Sequence, residues 1–203
     1  MKLRYKILNG FLILIGVAVV ALGLVLSRDD ACEPIPAAEG EGFSAIAYNC
    51  YGDASVLQLV TLPKPVPAED ELLVRVHAAG VNPLDYHYMR GMPYIMRLSS
   101  GLGAPDETRL GVDFSGTVEA VGAGVTRFQP GDAIFGGWTG AFAEYLTIPE
   151  DRSIAPKPDN VSFEEAATVP IAAITALQAL RDHGQLQPGQ RVLINGASGG
   201  VGT

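Results

Sequence analysis

Val192-Leu193-Ile194-Asn195-Gly196-Ala197-Ser198-Gly199-Gly200-Val201-Gly202 sets a short apolar run directly before a cluster of four glycines. A strand feeding a glycine-rich turn lets backbone N–H groups and the start of the next helix approach a pyrophosphate, because no Cβ stands in the way. Against the Gly-x-Gly-x-x-Gly pattern the three positions are Ala197, Gly199 and Gly202, so the first glycine is replaced by alanine. Taken alone, the same residues also suit a plain strand-turn-helix junction. The acidic residue expected about 20 positions later, where it would meet a ribose hydroxyl, lies past Thr203. NAD and NADP are therefore not separable from these residues.

Upstream of the loop, Pro188-Gly189 marks a turn and Arg191 to Asn195 a short strand. Ser162, followed by Glu164 and Glu165, has the form of a helix start, with a capping hydroxyl and acidic residues in the first turn. The Ala-rich run from Ala166 to Leu180 predicts a buried helix, interrupted near Pro170. Earlier still, Ala45 to Tyr48, Val56 to Leu62, Leu72 to Ala78, Gly116 to Val121, Asp132 to Phe135 and Ala143 to Ile148 read as strands. Pro63, Pro65 and Pro67 forbid a continuous ladder between two of them. Short strands broken by Gly and Pro predict a β-rich, barrel-like domain, and the whole reads as α/β.

The first residues are a separate object. Ile7 to Leu26 is almost wholly apolar and follows Lys2, Arg4 and Lys6; as a helix it would be about 30 Å long, enough for a bilayer core. The expectation is an uncleaved single-pass transmembrane anchor over 1–28, with a cleaved signal peptide or a buried core helix as the alternatives. The positive-inside rule keeps the N-terminus cytoplasmic, whereas nicotinamide reductants favour a cytoplasmic domain, so the side of the membrane stays open. Residues 29–42, rich in Glu, Pro, Ala and Gly, read as a linker.

With 22 acidic against 14 basic side chains and a formal charge of -8, the chain would repel a phosphate backbone, so nucleic acid is not an expected partner. The two cysteines, Cys32 and Cys50, lie in no zinc-like cluster. A disulfide between them is open, and nothing in the sequence requires one. His77, His87 and His183 show no metal-like spacing.

Two longer blocks are more specific. Ala78-Ala79-Gly80-Val81-Asn82-Pro83-Leu84-Asp85 and Gly111-Val112-Asp113-Phe114-Ser115-Gly116-Thr117-Val118-Glu119-Ala120-Val121-Gly122 resemble the N-terminal part of quinone oxidoreductases and related zinc-independent medium-chain reductases. Phe128 to Asp132, Gly140 to Tyr145 and Pro188 to Ile194 extend the resemblance, in the family's order, over about Phe43 to Thr203. The resemblance implies a GroES-like barrel domain over 43–160 and the start of a NAD(P)-binding Rossmann domain over 161–203, with the sequence stopping early in the latter. It implies NADP or NAD, with NADPH favoured, a small-molecule substrate, and a homodimer as one expectation for the full-length protein. Zinc alcohol dehydrogenases carry a metal-binding Cys where this chain has Asn82 and a Gly-His-Glu triplet where it has Gly111-Val112-Asp113, so no zinc is expected.

By the same resemblance Asn82 would sit near the nicotinamide and donate to a developing oxyanion, although an Asn-Pro pair also simply makes a turn. Tyr88 is a second catalytic candidate through its phenol, against an ordinary packed tyrosine. Thr175 would approach the cofactor, against a helical threonine bonded to its own carbonyls. Gly199, Gly200, Val201 and Gly202 would face the pyrophosphate. Met92 to Leu102 reads as a substrate lid, a membrane-touching loop or a packing segment. The implied activity is NAD(P)H-dependent reduction of quinones or other activated carbonyl and enone compounds. The alternative is a membrane-tethered, non-catalytic interaction protein that keeps the reductase fold.

Overall fold

A computed structural model describes residues 2–36, 38 and 42–202, with side chains from residue 10 onward. The chain begins with helix α1, Lys2–Leu26, followed by an antiparallel pair of strands, β1 (Phe43–Ala47) and β2 (Gln58–Leu62). Then come β3 (Glu71–Gly80), α2 (Pro83–Arg90), the short α3 (Arg97–Ser100), β4 (Asp113–Val121), β5 (Ala133–Gly137), β6 (Tyr145–Pro149) and β7 (Ile154–Pro156). Helices α4 (Phe163–Ala167) and α5 (Pro170–Leu177) follow, and a π-helical turn covers Gln178–His183.

Strands β3 to β7 form one antiparallel sheet in the order β6-β3-β4-β5-β7. Alternation along β3 turns Leu72 and Val74 into the core, where they meet Phe114 and Val118 of β4, Ile134 of β5 and Leu146 and Ile148 of β6. Burying each such side chain contributes about 1.5 to 3 kcal/mol. The strand readings between Ala45 and Ile148 hold apart from boundaries, while β7 had no signal beyond a short apolar pair flanking Ala155.

The expected barrel is not closed. Among the described residues, pair β1-β2 joins the main sheet through isolated bridges, Ala45 to Ala143 and Ala47 to Arg109, and side-chain packing such as Phe43 on Tyr145, with no continuous ladder, and β6 and β7 remain the two edges of an open sheet. A barrel needs continuous pairing around its circumference.

The transmembrane anchor is also corrected. Among the described residues no helix is long and apolar enough to cross a membrane. The single-pass membrane location and the membrane as a partner fall with it.

The segment expected as a linker is held along the domain. Cys32 and Cys50 form a disulfide with Cα atoms 5.0 Å apart. The Asp30 N–H donates to Gly103 O at 2.9 Å, and the Ile35 N–H to Gln58 Oε1 at 2.9 Å. Arg97, buried on α3, donates from Nη1 to Leu26 O (3.1 Å) and Arg28 O (2.8 Å) and pairs through Nη2 with Asp29 (2.8 Å).

The segment expected to open a Rossmann domain holds helices but, among the described residues, no strand. Ser162 caps α4 as its residues predict: its Oγ accepts from the Glu165 N–H at 3.1 Å, and the Glu165 carboxylate accepts from the Ser162 N–H at 2.8 Å. The expected buried helix over Ala166 to Leu180 is split before Pro170, and Ile174 and Leu177 are exposed. Arg191 to Asn195 forms no strand, with Leu193 95% exposed, because a parallel strand needs neighbours on its edges.

Candidate functional site

The site is organised around the junction of α2, β4 and α5. Pro83 starts α2 with its fixed φ and missing N–H, both suited to a first helical turn, and Asn82 is the N-cap. Asp85, three residues on, accepts from the Asn82 backbone N–H at 2.7 Å. The Asn-Pro pair is thus a helix start, and the Asn82 side chain also reaches β4. Its Nδ2 donates to Asp113 Oδ2 at 3.1 Å, with a weaker contact to Gly80 O at 3.5 Å.

Asp113, 1% exposed at the start of β4, also accepts from the Ile171 N–H of α5 at 3.1 Å. One carboxylate therefore ties the β-rich part to the helix that opens the next unit. Close approach is possible because Gly80, paired with Asp113, has no Cβ: one there would lie 2.6 Å from Ala167 O and 3.3 Å from Asp113 Cβ. Burial raises the Asp113 carboxyl above its ordinary range, opposed by the Ile171 and Asn82 donors. Asp85 is raised as well, first by burial and then by the like charge of Asp113, against the N–H groups of Asn82 and Gly111. One of its oxygens, Oδ1, is buried without a hydrogen-bond partner among the described residues.

Three cavities surround this junction. The first, about 150 Å³, is lined by Tyr48, Tyr88, Ser99, Ser100, Leu110 and Val112, with Glu107 and Arg109 among the charged groups. The second, about 250 Å³, is lined by Val112, Gly137, Ser153, Pro170, Ile171 and Thr175. Val112 is common to both, so the residue standing where zinc alcohol dehydrogenases would place a histidine separates the Tyr88 cavity from the Thr175 cleft. The third, about 390 Å³, is lined by Ala176, Leu180, Asn195, Gly199, Gly200, Val201 and Gly202.

The glycine loop turns twice, Gly199 N–H to Gly196 O at 3.0 Å and Gly202 N–H to Gly199 O at 2.9 Å. A Cβ at Gly202 would lie 2.5 Å from Gly196 O and 2.6 Å from Ala197 Cα, so this position needs glycine for packing, while Gly200 has open space around it. The loop is thus a concave backbone surface of the kind that suits phosphate.

Of the residues singled out in the sequence, Tyr88 lines the first cavity, Thr175 the second, and Gly199 to Gly202 the third. Asn82 lines none of the three and is joined to them through Asp113 and Val112. Met92 to Leu102 divides its roles: Arg97 is buried, Ser99 and Ser100 line the first cavity, and Ile95 and Leu98 are exposed. Asp113, Tyr48 and Arg97 were not singled out. Asp113 carried a signal in its place within the Gly111-Val112-Asp113 triplet, whereas Tyr48 and Arg97 had none. Among the described residues no group of three or more His, Cys, Asp or Glu side chains converges as metal ligands.

Residues 68–159 match the alcohol dehydrogenase GroES-like domain. The chain is 37% identical over 168 residues to the chloroplastic quinone-oxidoreductase homolog of Spinacia oleracea, covering 78% of this chain and 49% of that one. The chain belongs to the quinone oxidoreductase-like medium-chain dehydrogenase/reductases. Among solved structures, the quinone oxidoreductase of Coxiella burnetii matches this family member with a TM-score of 0.70 at 36% identity, over 80% of this chain and 51% of that one. The Escherichia coli quinone oxidoreductase complexed with NADPH matches at 0.68 and 29% identity, over 78% and 47%. This medium-chain reductase relative thus spans about half the length of the quinone oxidoreductases it matches.

Proposed function

We propose that the full-length protein is a zinc-independent oxidoreductase that uses NADPH, or NADH, to reduce quinones or other activated carbonyl and enone compounds. The observation that carries this reading is the Asn82–Asp113–Ile171 bridge beside Val112, which joins a phenol-lined cavity to a cleft on the face of α5. The glycine loop fits the pyrophosphate of a dinucleotide, since Gly199, Gly200 and Gly202 present backbone where a side chain would obstruct it. Thr175 would hold the cofactor on the α5 side. The nicotinamide, when bound, supplies a hydride, and with one proton from solvent a quinone becomes a hydroquinone.

The chain's own groups position and polarise the acceptor. Asp113 fixes one Asn82 N–H, leaving the second, at 3.5 Å from Gly80 O, only weakly engaged and able to donate to a carbonyl oxygen. Tyr88 offers a phenol from the next turn of the same helix. Donors held in place before the reaction cost no reorganisation when negative charge develops on oxygen. Val112 and Asn82 provide neither thiolate nor imidazole, so electrostatic donors take the part that a Lewis acid has in the zinc enzymes.

The test is NADPH oxidation by the full-length protein with a panel of quinones and enones. Acceptor-dependent loss of NADPH absorbance is expected. A protein that binds NADPH tightly but transfers no hydride to any of them would overturn the reading.

A further inference from the structure

The Tyr48 ring follows β1, is 3% exposed, and packs with Met89, Leu110, Tyr88 and Phe142. Its hydroxyl has no hydrogen-bond partner among the described residues, yet the residue lines the cavity of about 150 Å³ beside Val112. A hydroxyl that reaches the cavity and makes no hydrogen bond to the described residues is available to donate to a ligand oxygen there. Burial, followed by the neighbouring Tyr51, Glu107, Tyr88 and Asp85, pushes the phenol well above its ordinary range, so it stays protonated as a donor.

The cavity also selects by size and charge. A cavity of about 150 Å³ has room for one six-membered ring. Its wall is fixed: the Tyr51 hydroxyl donates to Gly101 O at 2.8 Å, and Arg97 stacks at 4.3 Å from the Tyr51 ring. Asp106 and Glu107 outnumber Arg109 around it, and Glu107 accepts from Arg109 Nε at 3.4 Å, which disfavours an anionic ligand.

We propose that this cavity takes a neutral, single-ring quinone or cyclic enone, and that Tyr48 donates a hydrogen bond to its carbonyl oxygen. The proposal rests on the reductase reading above and narrows its substrate class.

The experiment is calorimetric titration of the full-length protein, saturated with NADP⁺ so that no turnover occurs, with 2,6-dimethyl-1,4-benzoquinone, menadione and 9,10-phenanthrenequinone. The one-ring quinone binds about tenfold or more tightly than menadione, and the three-ring compound does not bind. Tyr48→Phe weakens the one-ring quinone by about tenfold while NADP⁺ affinity and melting temperature stay unchanged. Equal or tighter binding of the larger quinones overturns the size limit, using unaltered protein. Unchanged affinity in a folded Tyr48→Phe variant overturns the role of the phenol. NADPH-dependent turnover of larger quinones alone would sink this inference and leave the reductase reading standing; no binding and no turnover with any quinone or enone would sink both.

Discussion

The side-chain amide of Asn82 donates to the carboxylate of Asp113 across 3.1 Å, and that carboxylate accepts the Ile171 backbone N–H at the same distance. Removing it leaves two part-buried donors unsatisfied at once. Asp113→Ala is therefore expected to lower the unfolding free energy by about 2 kcal/mol and to free the Asn82 amide to rotate. Asp113→Asn, which keeps one acceptor oxygen, is milder in both respects. In the full-length protein Asn82→Ala spares NADPH binding and lowers kcat by about 10² to 10³, the usual cost of one oxyanion donor. Urea unfolding and steady-state kinetics on the three variants check this, and unchanged turnover in Asn82→Ala removes that residue from the mechanism.

The glycine loop separates steric from electrostatic effects. A Cβ at Gly199 would meet only Gly196 O, at 3.3 Å, whereas one at Gly202 meets backbone atoms at 2.5 and 2.6 Å. Gly199→Ala should keep NADPH binding within about tenfold, Gly202→Ala should impair it by distorting the turn, and Gly199→Asp should abolish it through charge repulsion with pyrophosphate. Fluorescence titration of NADPH into the full-length variants gives the order. Equal loss in Gly199→Ala and Gly199→Asp would show that sterics alone decide.

Much of the fold was readable because its signals are local. Alternation in Leu72 to Ala78 and the Ser162-x-x-Glu165 box depend on neighbours a few residues away, and both recur in the structure. What was missed depends on distant partners. Nothing adjacent to Asp113 says that Asn82 and Ile171, 31 positions before it and 58 after, converge on it. Barrel closure is likewise a property of pairing between β1-β2 and the main sheet, not of any strand's composition. Apolar runs mislead in the same way: Ile7 to Leu26 and Val192 to Ile194 have the texture of a membrane span and a core strand, but the structure supports neither.

The strap at 26–50 makes a stability prediction. The Cys32–Cys50 disulfide closes a loop of sequence separation 18, for which chain entropy gives about 3 kcal/mol. Reduction, or Cys32→Ser with Cys50→Ser, should lower the urea midpoint accordingly. Arg97→Ala should cost about 2 to 3 kcal/mol, because the Leu26 and Arg28 carbonyls lose their donor. A disulfide-free variant that melts at the unaltered temperature would mean that the hydrogen bonds of the segment hold it without the covalent link.

Asp85 sets the last expectation, through pH. Burial and the nearby Asp113 raise its folded-state value above 3.8, while in the unfolded chain it stays ordinary. A raised carboxyl contributes stability that is complete below the ordinary carboxylate value and is lost as pH climbs through the raised one. Once ionised, Asp85 is a buried charge with one oxygen, Oδ1, unpaired among the described residues. Asp85→Asn keeps an oxygen for the Asn82 N–H but cannot ionise. The stability of Asp85→Asn minus that of the unaltered protein should thus increase as pH rises above the ordinary carboxylate value. Thermal melts of both proteins across that range measure the difference directly, and because the opposing carboxylates at Glu119 and Glu150 are common to both, they cancel. A difference that stays flat, or that shrinks with rising pH, would show that Asp85 is not raised in the folded state.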